Sequence, residues 1–185
     1  MIFRPRQKTL PITTQIIIEN NALEQVDNFK FLGVYIDQHL TWKTHVNFFA
    51  AKISKSVGLL YKAKCYLPSK SRLTLYYGLI YPYITYRDLI WASTYVTNMQ
   101  RIYLLQKRAV RGISKADYKA SSKPLFANLK ILDVFSIYSL QVSSFMYLYH
   151  HDLLRLIKSF KLEIRFISIQ QDTLTFTDLI PVEQI

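Results

Sequence analysis

Asn28-Phe29-Lys30-Phe31-Leu32-Gly33-Val34-Tyr35-Ile36-Asp37, followed by Leu40, Trp42 and His45, decides how the chain is read. Its front half alternates large apolar side chains and breaks once at Gly33, the pattern of a strand whose backbone another molecule can approach. Asp37 closes the strand, Thr41 is placed to cap a helix, and a helical period begins at Trp42. A glycine-bearing strand that leads straight into a basic amphipathic helix suits a nucleic-acid grip.

Upstream, Ile16-Ile17-Ile18 and Val26 flank Asn20-Asn21, a turn dipeptide able to take positive φ, so residues 14–37 read as a β-hairpin extended by that strand. Downstream, Val46, Phe49, Ala50, Ile53, Val57, Leu60 and Tyr61 form a helical stripe, with Lys52, Lys55 and Lys62 on another face. Leu67-Pro68 ends this helix, and Ser69 can cap the next. The second helix carries Leu73, Tyr76, Tyr77, Ile80 and Ile84 inward, with a kink or break expected at Pro82. The third places Met99, Ile102, Tyr103, Gln106, Val110 and Ile113 on one side and the basic stripe Arg101, Arg108, Arg111 and Lys115 on the other. After Ser121-Ser122 and Pro124 comes a short helical turn. Asp133 then caps a nearly all-round apolar helix that ends near His150-His151 and should be deeply packed. Ile164 to Ile169 reads as a strand, and Asp172 to Ile185 as a loose acidic tail.

At 185 residues, half of them hydrophobic and 15% aromatic, the chain can bury a real core as one domain, or one with a small appendage. Only four glycines argue against a loop-rich all-β protein. The single Cys65 excludes an internal disulfide and a cysteine-cluster zinc site, which fits a reducing compartment. Arg4, Arg6 and Lys8 precede Pro11 and a β-like run, not the continuous apolar stretch of a secretory signal. Leu73 to Tyr86, the most membrane-like segment, is short of the roughly 20 residues that span a bilayer and runs into Arg87 and Asp88, so a buried core helix is expected. The formal charge of +12 is concentrated. Residues 1–40 are balanced, four basic against four acidic, whereas residues 41–115 hold thirteen Lys and Arg against Asp88 alone, a net +12. A solvated face usually mixes signs, so this segment has the electrostatic footprint of a surface that meets phosphates.

The chemistry-bearing residues point away from catalysis within this chain. Two-metal phosphoryl chemistry needs clustered carboxylates, yet no Asp-Asp pair occurs, and Glu19, Glu24, Asp27 and Asp37 are scattered along a hairpin. Asp37 suits a strand-end cap better than a metal ligand. His39 and His45, six apart with no third ligand nearby, read as surface or cap histidines, and His150 and His151 as partners of a helix dipole. Cys65 has Lys62 and Lys64 beside it but no base, which favours a structural role. Trp42 and Trp91 read as core anchors before base-stacking platforms.

The wording FLGVYIDQHLTWKTHV, residues 31–46, resembles the segment just after the catalytic core of reverse transcriptases from non-LTR (LINE, jockey-like) retrotransposons. Three further pieces resemble the same family in the same order. They are Met1-Ile2-Phe3, like the end of the strand after the active-site hairpin; Leu75 to Tyr86 leading to Trp91; and Leu104-Leu105-Gln106-Lys107-Arg108-Ala109-Val110-Arg111. Together they cover residues 1–150. The resemblance implies RNA-directed DNA synthesis by an intact enzyme that uses magnesium, with the catalytic aspartates upstream of Met1 and no cofactor in this piece. Phe31, Leu32 and Gly33 would belong to a primer-grip strand and position the primer terminus. Lys52, Lys55, Lys62, Arg101, Lys107, Arg108 and Arg111 would touch phosphates without reading sequence.

The fold class implied is α+β, mostly α. Residues 1–40 would form a distal palm hairpin with the grip strand, 41–115 a basic thumb-like bundle, and 116–154 an apolar helical extension. The partners implied are an RNA/DNA primer-template and the upstream fingers and palm, with no membrane, inside the cell in cytoplasm and nucleus. From Arg155, where the family pattern keeps a proline, the resemblance fades, so 155–185 is an off-pattern tail with no assigned function. A stand-alone basic nucleic-acid-binding module, a functionless remnant of a mobile element and, third, a membrane-surface protein are the competing readings.

Overall fold

The computed structural model describes residues 1–7, 17–18 and 21–151. The order is β1 (Ile17–Ile18), β2 (Asn21–Ala22), β3 (Asn28–Phe31), β4 (Val34–Asp37), then α1 (Lys43–Ala63), α2 (Ser69–Leu79), α3 (Tyr81–Thr85), α4 (Asp88–Trp91), α5 (Val96–Ser114), α6 (Lys123–Leu129) and α7 (Val134–His150). The fold is α+β and mostly α, as the sequence implies. The expected strand and the acidic tail beyond residue 151 lie outside the described residues. The chain divides into two compact units, Met1–Ser143 and Ser144–Ile185. In the second, the described residues are the end of α7 and His151, whose ring lies 4.3 Å from that of Tyr147.

The strands differ from their sequence reading. β1 pairs antiparallel with β2, and β3 with β4, in two separate two-stranded sheets. Asn21 lies in β2 opposite Ile18, so Asn20-Asn21 is not the turn pair. Phe31 pairs with Val34, which makes Leu32-Gly33 a two-residue turn and not the middle of one strand. Asn28 to Asp37 is therefore a hairpin folded at the glycine. The second edge of β4 meets α1, where Tyr35 N donates to His45 Nδ1 (3.3 Å).

Asp37 organises the passage into α1. Its carboxylate oxygens accept from the amides of His39 (3.1 Å), Thr41 (3.0 Å) and Trp42 (2.9 Å) and from the Thr41 hydroxyl (3.1 Å). It is the strand-end cap expected. Thr41 is displaced from the capping position by Trp42, which turns into the left-handed region at φ 59° before the first helical residue. Likewise Pro68, not Ser69, occupies the cap of α2, because its fixed φ suits the entry and leaves Ser69 as the first helical residue.

α1 and α5 run parallel. Asn47, near the start of α1, meets Arg101 near the start of α5, and Leu60 and Tyr61, near the end of α1, pack on Gly112 near the end of α5. α2 returns antiparallel: Ser69 reaches Ile113 O, and Tyr76 reaches Gln106. The core between them holds Val46, Phe49, Ile53, Val57 and Leu60, then Tyr76, Ile80, Ile84 and Trp91, then Met99, Ile102, Ala109, Val110 and Ile113. The expected break falls at Ile80, between α2 and the Pro82-bearing α3. Tyr77 is an exception to the inward stripe and is exposed, its ring against Tyr76 and Tyr81. Among the described residues no single helix is long and apolar enough to cross a membrane.

α7 is not deeply packed. Val134 and Ile137 are buried, but Leu140, Tyr147, Leu148 and Tyr149 are exposed. Asp133 does cap it, accepting from Ser136 N at 2.9 Å.

Two glycines give a paired test. A Cβ on Gly112 would stand 2.6 Å from Leu60 Cδ2, while one on Gly58 in α1 would meet nothing within 4 Å. Gly58→Ala should therefore stabilise by about 0.5–1 kcal/mol through helix propensity. Gly112→Ala should forfeit that gain and lose about 1 kcal/mol net, because Leu60 is itself packed. Urea midpoints of the two variants, which should move in opposite directions, check this.

Candidate nucleic-acid interface

The β3–β4 turn takes φ 45° at Leu32 and φ 83° at Gly33. Positive φ at both central residues is what a two-residue hairpin needs to match strand twist. Gly33 adopts it freely. Leu32 is held there at a cost of about 1 kcal/mol or more. The holder is Tyr86, whose hydroxyl donates to Leu32 O (2.8 Å) and whose ring edge lies 3.4 Å from where a Cβ on Gly33 would stand. Arg87, itself at φ 53°, places its guanidinium 5.5 Å from the Tyr86 ring centroid. The turn thus presents Phe31 and Leu32 outward, 54% and 58% exposed, from a fixed backbone.

The predicted cations separate into two groups. Lys52, Lys55 and Lys62 line the exposed face of α1. Arg101 and Arg108, two turns apart and exposed on α5, flank that face on the side where Arg101 donates to Asn47 Oδ1. Lys107 points elsewhere: its ammonium stands 4.4 Å from the Tyr103 ring centroid, and that ring stacks on Phe126 of α6. Arg111 is half-buried, and its Nε donates to Ala120 O (2.9 Å), tying α5 to the following loop. The hairpin joins the first group through Tyr35, whose ring lies 5.0 Å from that of Phe48 on α1.

Several polar residues are more deeply engaged than their sequence reading. His45 is buried, against the expectation of a surface or cap histidine, and packs on the rings of Phe49 and Trp91. His39 donates from Nδ1 to Arg4 O at 2.7 Å. Cys65 is exposed, not a structural core thiol. Trp91 is the core anchor expected and donates to Tyr86 O at 2.8 Å. Sequence reasoning missed Tyr86 and Arg87 as holders of the turn, and Arg72 as a buried cation. The signals for His45 and Arg72 were present, since each falls one helical step before an inward residue, Phe49 and Tyr76.

Burial lowers the His45 pKa from 6.5 to about 4. Because Nδ1 accepts from Tyr35 N, the neutral ring carries its hydrogen on Nε2, which is buried without a partner. Protonation would put a second hydrogen where Tyr35 N already donates. The unfolded chain binds this proton first as pH falls, so the stability tied to the neutral ring is complete above pH 6.5 and lost progressively toward pH 4. At most roughly 3 kcal/mol should go in that window. Urea unfolding of the wild type and of His45→Gln at pH 7 and pH 4 should show the smaller drop in the variant; equal drops would refute the assignment.

Among the described residues no three His, Cys, Asp or Glu side chains converge to hold a metal ion, and both Asp37 oxygens are occupied by hydrogen bonds.

The chain is 30% identical over 131 residues to a probable RNA-directed DNA polymerase from transposon BS of Drosophila melanogaster, covering 67% of this chain and 14% of that protein. It is 28% identical over 137 residues to the corresponding probable polymerase from transposon X-element of the same fly, covering 72% and 15%. This is a reverse-transcriptase-related region. The RNA-directed DNA polymerase from mobile element jockey of Drosophila funebris agrees at 25% identity over 120 residues, 63% of this chain and 13% of that protein. The reverse-transcriptase-related chain spans about a seventh of the length of these relatives. No family profile matches it, and no solved structure does.

Proposed function

We propose that this region grips primer-template nucleic acid as a thumb-like part of an RNA-directed DNA polymerase of a non-LTR element, and that the aspartates and magnesium ions of the chemistry reside in another part of the polymerase, which works inside the cell. The observation that carries the reading is the placement of an exposed, backbone-locked turn beside the α1 face bearing Lys52, Lys55 and Lys62, with Arg101 and Arg108 flanking it. Basic side chains on rigid helices contact phosphates at fixed spacing and carry no sequence information. The turn offers the exposed apolar side chains of Phe31 and Leu32 on a fixed backbone, while the space a Gly33 side chain would fill is taken by Tyr86.

Salt dependence tests it. If about five cations meet duplex phosphates, log K should fall with log salt at a slope of roughly −4 to −5, nearly independent of sequence. Replacing Lys55, Lys62 and Arg108 together by Gln should shrink the slope by about three while each exposed change stays within about 0.5 kcal/mol in stability. A wild-type slope near zero in fluorescence anisotropy overturns the proposal.

A further inference from the structure

Lys30 and Lys52 stand out because two elements bring them to one ring. Lys30 on β3 places its ammonium 5.5 Å from the Tyr35 centroid and 5.9 Å from that of Phe48. Lys52, one turn after Phe48 on α1, places its own 5.5 Å from the same Phe48 ring. Both ammoniums are drawn to the negative faces of the aromatic pair, and both side chains are exposed. Two like charges gathered on one ring repel, and among the described residues neither is matched by a carboxylate. An anion seated between them removes that repulsion and gains two charge-assisted hydrogen bonds.

We infer that Lys30 and Lys52, over the Phe48–Tyr35 floor, form a seat for a single backbone phosphate of nucleic acid, on the opposite face of β3 from Phe29 and Phe31. The strand alternation fixes this: Lys30 pairs with Tyr35, whereas Phe29 and Phe31 pair with Ile36 and Val34. The seat rests on the nucleic-acid reading above and adds a residue, Lys30, from the hairpin itself. A nucleic-acid backbone is favoured over an anionic lipid surface because the seat continues into the row of Lys55 and Lys62 along one helix, a linear track suited to a strand.

Fluorescence anisotropy with a labelled duplex and with a labelled single strand tests the seat on the full chain, using Lys30→Gln, Lys52→Gln and the double variant, with Lys130→Gln as the control outside the seat. Because both lysines act on one phosphate, each single change should weaken binding several-fold, and the double change should cost less than the product of the two. The salt slope of the double variant should shrink by about one, not two. Lys130→Gln should leave the affinity within the experimental scatter. If the wild type binds with a steep salt slope and the double variant keeps both affinity and slope, the seat is wrong while the grip survives. If the wild type does not bind nucleic acid, both fall. Binding to phosphatidylserine vesicles that is lost in the double variant, with nucleic-acid binding unaffected, would overturn the choice of a nucleic-acid phosphate.

Discussion

Arg72→Met should cost about 3–5 kcal/mol of stability and lower the thermal midpoint by roughly 10 °C, the largest loss expected from any single change in α2. Arg72 is only 2% exposed, and its guanidinium donates to three carbonyl oxygens: Ile113 O from Nε (3.1 Å) and Nη2 (2.7 Å), Lys64 O from Nη1 (2.9 Å) and Leu67 O from Nη1 (2.8 Å). Lys64 caps the C-terminus of α1, and Ile113 lies in the last turn of α5. Because α1 and α5 run parallel, their negative dipole ends come together, and the buried cation answers both. Methionine fills much of the volume but takes the donor from Lys64 O and Leu67 O and leaves Ile113 O with only the 3.5 Å bond from the Ser69 hydroxyl. Arg72→Lys should recover less than half of the loss, since a point charge cannot reproduce the planar fork. A change below about 1 kcal/mol in urea unfolding of Arg72→Met would show that water replaces the guanidinium without penalty.

Gln106→Leu should cost about 3 kcal/mol. Gln106 is fully buried in α5 and its amide is saturated. Nε2 donates to Tyr76 Oη (2.9 Å) and Leu132 O (2.9 Å), while Oε1 accepts from Val134 N (2.9 Å). Leucine matches the shape and takes the partner from three groups, the buried Tyr76 hydroxyl on α2 and Val134 N at the start of α7, each worth about 1–3 kcal/mol when unsatisfied, and the partly exposed Leu132 O, with partial relaxation. Burial already pushes the Tyr76 hydroxyl well above the ordinary tyrosine range, so that group stays neutral and still needs its partner. Gln106→Glu should be at least as damaging at pH 7, because a buried carboxylate cannot donate to Leu132 O. Near-wild-type thermal stability for Gln106→Leu would remove this side chain from the inter-helix framework.

The helices were legible because their apolar spacing is strong: the α1 stripe from Val46 to Leu60 and the α5 stripe from Met99 to Ile113 are the buried faces found. Pro82 announced its own break. The straight-strand reading fails because it carries the alternation of Phe29 and Phe31 through Gly33, whereas Val34 and Ile36 have the opposite parity and reach the same face only across a two-residue turn. Leu32, moreover, is not a residue that normally accepts positive φ. What overrides its preference is Tyr86, fifty-four residues away, and no local pattern carries that information. The packing of α7 was overestimated for a related reason, since an all-round apolar composition does not say how many faces have neighbours. In the candidate interface the charges were legible and their directions were not. Arg101 and Arg111 share a stripe in sequence, yet Arg111 is drawn inward by Ala120 O in a loop whose course the helical period does not describe.

The clasp between Tyr35 N and His45 gives α1 the character of a ruler with a fixed zero. The turn is anchored at one end of a 21-residue helix, so its distance to each lysine farther along does not drift. Ten residues separate Lys52 from Lys62, about 15 Å of axial rise. A nucleic-acid strand advances about 3.4 Å per phosphate in a duplex. An oligonucleotide therefore needs about five phosphates to reach from the first graduation to the last, and anything shorter can register at one mark only.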